Sequence, residues 1–93
     1  MKLDQLDELL KNKKFFTHIV RKMLETKLEL YTLAYRYYDG NYWADAFIKL
    51  DGTVFYARLR ILESTFILEL YKGKYEVKIE KTPKEVLGEE LEL

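Results

Sequence analysis

The chain offers little that could do covalent chemistry. His18 is its one histidine, and cysteine is absent. Without cysteine there is no thiolate nucleophile, no disulfide and no Cys-based zinc site. His18 falls on the polar side of a helical stretch beside Arg21 and Lys22, and strand register places no Ser against it. No nucleophile–base pair therefore arises. Asp45 and Glu69 lie in strand-like runs, each with Arg58 as a cross-strand neighbour. Pairing with Arg58 keeps both carboxylates ionised, the wrong state for a general acid. Asp39 and Asp51 each precede a glycine and read as turn residues. Gly40, Gly52, Gly73 and Gly88 stand at turns or a helix end, and none forms a phosphate-cradling loop. No enzyme, cofactor or metal is expected.

Two other sets of residues point to binding. Tyr38, Trp43, Phe47, Tyr56, Arg60 and Tyr71 fall on one face of a sheet. Trp, Tyr and Arg dominate binding hot spots, and an aromatic patch of this size marks interaction surfaces. This face is expected to self-associate as a homodimer or to bind another protein, as an adaptor or inhibitor would. Lys13, Lys14, His18, Arg21 and Lys22 form a basic stripe along a helix, the alternative site for nucleic acid or an acidic partner. Single strands stacking on the sheet aromatics would have to overcome its acidic rungs.

Positioning these residues falls to a central hairpin. Tyr42 to Leu62 is two alternating runs joined by Asp51-Gly52, a strong hairpin signal. A two-residue loop there sets Leu50 opposite Thr53, Ile48 opposite Phe55, Ala46 opposite Ala57, Ala44 opposite Leu59 and Tyr42 opposite Ile61 on an apolar face. The other face receives Phe47 with Tyr56, Asp45 with Arg58, and Trp43 with Arg60 as a cation–π pair. A slip by one residue would send Asp45 and Arg58 into the core, which holds the register.

The same arithmetic extends outward. A Glu63-Ser64 loop sets Ile61 opposite Phe66, Leu59 opposite Leu68, Arg58 opposite Glu69 and Tyr56 opposite Tyr71. A Gly40-Asn41 loop gives Tyr37–Ala44, Tyr35–Ala46 and Leu33–Ile48 on the apolar face, with Arg36–Asp45 and Tyr38–Trp43 on the other. A Lys72-Gly73 loop brings in Tyr75, Val77 and Ile79 on the core side. It also sets Glu69 against Glu76, a like-charge pair that either Arg58 and Lys78 relieve or a last turn differing by one residue removes. The expected rows on the second face are Arg36–Asp45–Arg58–Glu69, Tyr38–Trp43–Arg60–Ile67 and Ala34–Phe47–Tyr56–Tyr71.

Ahead of the strands, Leu3, Leu6, Leu9 and Leu10 make a short amphipathic helix over 3–11, with Asn12 as a break. Residues 14–27 form a second helix, with Phe15, Phe16, Ile19, Val20, Met23 and Leu24 within half the wheel. Ala44, Ala46 and Ala57 offer it a shallow groove. Strands are expected at 30–38, 42–50, 53–62, 65–71 and 74–81. Thr82-Pro83-Lys84-Glu85 reads as a capping box with Pro at the first helical position, ending at Gly88.

The expected fold is α+β: two N-terminal helices packed on one face of a five-stranded antiparallel meander, with a short C-terminal helix. One domain spans 1–93, with a helical segment over 1–28, a meander over 30–81, and a capped helix with an acidic tail over 82–93. In element order alone, a helix on a curled meander resembles cystatin-like, cone-shaped folds. That resemblance implies a small-ligand pocket or an enzyme site between helix and curled sheet, with Tyr31, Tyr35, Tyr37 and Tyr75 at its rim; core tyrosines reaching solvent are the simpler reading, and small molecules are not the expected partner.

Composition fits a soluble globular protein, 48% hydrophobic and 34% charged. No apolar run approaches the ~20 residues of a membrane span, and the acidic start MKLDQLDELL is not a signal peptide. A cytoplasmic location is expected. Small motif-poor domains of this kind are frequent among accessory factors of viruses and mobile elements. Net charge is zero, yet residues 11–27 carry +5 and residues 83–93 carry −3. A balanced total disfavours a dedicated non-specific nucleic-acid binder.

Overall fold

The structure, a computed structural model, describes residues 2–38, 41–62 and 65–89; the side chains of 3, 4, 6, 7, 30–38, 41 and 42 lie outside that description. The fold is α+β with an antiparallel sheet and helices. In chain order the elements are α1 (Leu3–Leu10), α2 (Lys13–Leu24), β1 (Glu29–Tyr38), β2 (Asn41–Leu50), β3 (Thr53–Leu62), β4 (Thr65–Lys72), β5 (Tyr75–Lys81) and α3 (Pro83–Leu87). The strands lie side by side in sequence order, β1-β2-β3-β4-β5.

Asn12 separates the first two helices because its side chain caps the second. Its Oδ1 accepts from the backbone N–H of Lys14 at 2.9 Å and of Phe15 at 3.1 Å, satisfying two otherwise orphaned donors. Helix α2 stops at Leu24, three residues short of the expected end. Glu25 turns left-handed there (φ 57°) and its N–H closes on the Arg21 carbonyl at 2.8 Å. The chain must reverse into β1 at this point. Arg21 Nη2 secures the reversal by donating to the Leu28 carbonyl at 3.0 Å, and Leu28 is buried. Thr82, Pro83, Glu85 and Gly88 start and stop α3 as their types predict.

The core lies between the helices and one face of the sheet. Phe16, Ile19, Val20 and Met23 of α2, Leu10 of α1 and Val86 of α3 share one buried cluster with Ala44, Ala46, Ile48, Ala57, Leu59, Ile61, Phe66, Leu68 and Leu70. Ala44, Ala46 and Ala57 on β2 and β3 belong to the same buried cluster as the apolar side chains of α2. Of the tyrosines expected at a pocket rim, Tyr75 is more than half exposed and leans on Phe55 with ring centroids 6.2 Å apart. The side chains of Tyr31, Tyr35 and Tyr37 lie outside the described residues.

The two inner hairpins have the register set by their turns, from Leu50 opposite Thr53 to Tyr42 opposite Ile61, and from Ile61 opposite Phe66 to Tyr56 opposite Tyr71. The β1–β2 hairpin differs from expectation, and at β4–β5 the alternative of a last turn moved by one residue is the one found. Tyr38 pairs with Asn41, not Trp43, so Ala34 lies opposite Asp45 and Arg36 opposite Trp43. A bulge between Leu30 and Thr32 then shifts the register once more. At the far edge Lys72 pairs with Tyr75, which sets Glu69 opposite Lys78 instead of Glu76. A like-charge pair is thereby exchanged for an attractive one, and Gly73 (φ 58°) becomes the first residue of the turn, where a left-handed backbone is needed. Both changes move the pairing by two residues, so alternating faces are preserved.

Candidate functional site: the open face of the sheet

The face of the sheet turned away from α2 carries three rows. They are Ala34–Asp45–Arg58–Glu69–Lys78, Arg36–Trp43–Arg60–Ile67–Glu80 and Thr32–Phe47–Tyr56–Tyr71–Glu76. They replace the expected rows at the β1 end: Arg36 does not face Asp45, and Tyr38 does not face Trp43. Tyr38's side chain lies outside the described residues.

Two carboxylates lie beneath this surface. Asp45 is 3% exposed and Glu69 8%. Strand geometry roots both side chains low in the pleat while longer neighbours close over them. Arg58 reaches Asp45 with Nε at 3.0 Å and Nη2 at 3.3 Å, and the Tyr56 hydroxyl donates to the same carboxylate. Glu69 accepts from the Tyr71 hydroxyl and has Arg60 Nε 2.8 Å from its Oε1, an off-line contact that makes an ion pair but no hydrogen bond. Each buried anion thus has one arginine and one tyrosine. Arg58 stands opposite Glu69 as expected, but their ion pairing is corrected: Arg58 is held by Asp45, and the diagonal Arg60 serves Glu69. The expected cation–π partner changes for the same reason, since the Arg58 guanidinium lies 5.7 Å from the Trp43 ring centroid.

These contacts shift the titration of the capping groups. Burial, then the bond to Asp45, pushes the Tyr56 phenol up. The bond to Glu69 is the largest cause that raises Tyr71 to about 12. The bond to Asp45 also raises Arg58, outweighing its burial, so its charge is locked. Groups so fixed are poor proton carriers near neutrality, and the arrangement is a neutralised platform.

On that platform Phe47 stacks edge-on against Tyr56 at 5.5 Å, and Tyr56 lies 6.3 Å from Tyr71. Phe47 is 48% exposed, Val54 44% and Leu62 42%. The rim residues Val54 and Leu62 escaped the sequence reading, although they share the alternation of Tyr56, Arg58 and Arg60 along β3. The buried carboxylates left no such signal, because alternation assigns a face and not a depth.

The basic residues divide. Lys13, Lys14 and Arg21 line one open cleft of 550 Å³ beside Thr17, Leu28 and Glu29, whereas His18 and Lys22 are exposed and do not line it. A second cleft of 360 Å³ shares Arg21, Leu28 and Glu29 with the first and adds Lys27 and Lys49, which the sequence reading had not placed in a site. Among the described residues no cluster of three or more His, Asp or Glu could hold a metal, and no helix is long and apolar enough to cross a membrane. Comparison with known proteins finds no family model, no curated protein and no solved structure that matches this chain.

Proposed function

We propose that this is a non-enzymatic binding domain whose partner surface is the open sheet face, and that the partner is a second copy of the chain. The observation that carries this reading is the state of the charges on that face. Asp45 and Glu69 are each matched by an arginine and a tyrosine of the same protomer, while Phe47, Val54 and Leu62 remain exposed. A face of one sign would repel its copy, and one with unpaired charges would lose their hydration on contact. An internally neutralised face with an apolar relief can meet itself about a two-fold axis. The sheet has a covered face and an uncovered one, and two such sheets stacked face to face would complete a second core of the kind found in sandwiches.

Sedimentation of the pure protein across a range of concentrations tests this. A dimer is expected, with Phe47→Glu and Val54→Glu each giving a monomer of unchanged far-UV circular dichroism. A protein that stays monomeric at every concentration, or a dimer that both variants leave intact, would overturn the reading.

A further inference from the structure

We infer that the paired clefts along α2 and the start of β1 bind the phosphate backbone of a single-stranded nucleic acid. The inference does not rest on the dimer: the α2 cations lie on the covered side of the sheet, and only Lys49, which pairs with Val54 at the edge of the open face, adjoins the proposed dimer surface. Lys13, Lys14 and Arg21 line one cleft, Arg21 and Lys27 the other, and the two meet at Arg21, Leu28 and Glu29. From Lys13 to Arg21 the helix advances about 12 Å, so the cations form a track and not a point.

Position, not pairing alone, groups these cations. Lys11, Arg58, Arg60, Lys78 and Lys81 each lie within an ion pair. Among the described residues Lys13, Lys14, Arg21 and Lys27 make none. Lys22, Lys49, Lys72, Lys74 and Lys84 also make no ion pair among the described residues, but only Lys49 of those lines a cleft. The one hydrogen bond of the Arg21 guanidinium there goes to the Leu28 carbonyl, which fixes the side chain at the junction of the clefts without neutralising it.

A second observation concerns helix stability. The first turn of α2 holds Lys13 and Lys14 and no acidic residue. Cations at a helix N-terminus oppose the macrodipole and weaken the helix. Among the described residues no ion pair uses these two charges, and a local rule broken without structural compensation is characteristic of a functional site. The dipole's positive end adds to the lysines' own potential.

The ligand class follows from shape. Open clefts of 550 and 360 Å³, in which Lys13, Lys14, Arg21, Lys27 and Lys49 outnumber the carboxylates of Glu29 and Asp51, can follow a chain of phosphates, yet they recess too little surface to enclose a duplex. Among the described residues no aromatic side chain lines either cleft, so the contact argued from them is with the backbone and independent of base sequence.

The test is fluorescence anisotropy of a short labelled oligothymidylate against the full chain. At the slope for single strands, about four phosphate contacts predict an affinity loss of about 50-fold between about 50 and 200 mM salt. Lys14→Glu with Lys27→Glu should abolish binding while Lys22→Glu with Lys74→Glu, an equal change of charge away from the clefts, should leave most of it. Lys14→Glu alone should weaken binding and raise the melting temperature, a combination that damage to the fold would not produce. No binding at low salt, a flat salt response, or equal losses from both double variants would overturn the inference. So would tighter binding of the matching duplex. Equal competition by polyglutamate would assign the clefts to an acidic protein instead.

Discussion

Asp45 accepts from the guanidinium of Arg58 and the hydroxyl of Tyr56, and that set of partners is what permits a carboxylate 3% exposed to stay in place. Removing Arg58 would leave the anion with a phenol alone. Losing one partner of a fully buried pair costs about 3–5 kcal/mol, but Arg58 keeps 36% of its side chain in solvent, so about 2–3 kcal/mol is expected for Arg58→Met in urea unfolding. The double variant Asp45→Leu with Arg58→Met should recover most of that, because two apolar side chains need no desolvated charge. A double variant as unstable as the sum of its parts would mean the ion pair itself is strongly stabilising. Tyr71 adds a pH dependence of definite sign. The Glu69 carboxylate raises its phenol from 10.0 to about 12, so folding favours the protonated form. This contribution is whole below pH 10 and is lost as pH rises through 12. The urea midpoint should fall across that window, and Tyr71→Phe should flatten the fall.

At the scale of elements, α2 is held by what it buries more than by its termini. Phe16 is fully buried in the cluster that includes Ala44, Ala46 and Ala57. Truncation to Ala should cost about 3–5 kcal/mol, against about 1 kcal/mol for Asn12→Ala, which removes only the cap. Similar losses at both positions would mean that the helix is held mainly by its cap. Alternation, helical spacing and turn residues made the inner hairpins and the α2 stripe legible in the sequence, because a slip of one residue would bury Asp45 and Arg58 on the core face. The outer hairpins were not legible to the same degree. Around Gly40 and Gly73 the turn can move so that the pairing shifts by two, and a shift of two leaves every side chain on its own face. Periodicity cannot detect it. At β4–β5 the deciding information was charge, Glu69 against Glu76 or against Lys78. The cleft at the start of β1 was invisible for another reason: Lys27 joins Arg21 there only through the left-handed reversal at Glu25, a conformation that the residue type does not announce.

For the whole molecule, the sheet separates two surfaces with opposite electrostatic character. On the open face the buried anions are matched within the protomer, so bringing two such faces together changes apolar exposure and leaves few ions to release. Along α2 the cations make no ion pair among the described residues, and an arriving polyanion would displace their counter-ions. The proposed dimer and the inferred nucleic-acid track should therefore respond differently to one variable. Raising salt should leave the dimer dissociation constant nearly unchanged, or tighten it slightly through stronger apolar burial, while oligonucleotide affinity falls steeply. Sedimentation and anisotropy along the same salt series measure both. Phe47→Glu should then abolish the dimer and leave each protomer's affinity for a short oligonucleotide intact, since Phe47 lies on the face turned away from α2. A dimer that dissociates with salt as steeply as the oligonucleotide does would place its contacts on the basic clefts, and the open sheet face would lose its claim to self-association.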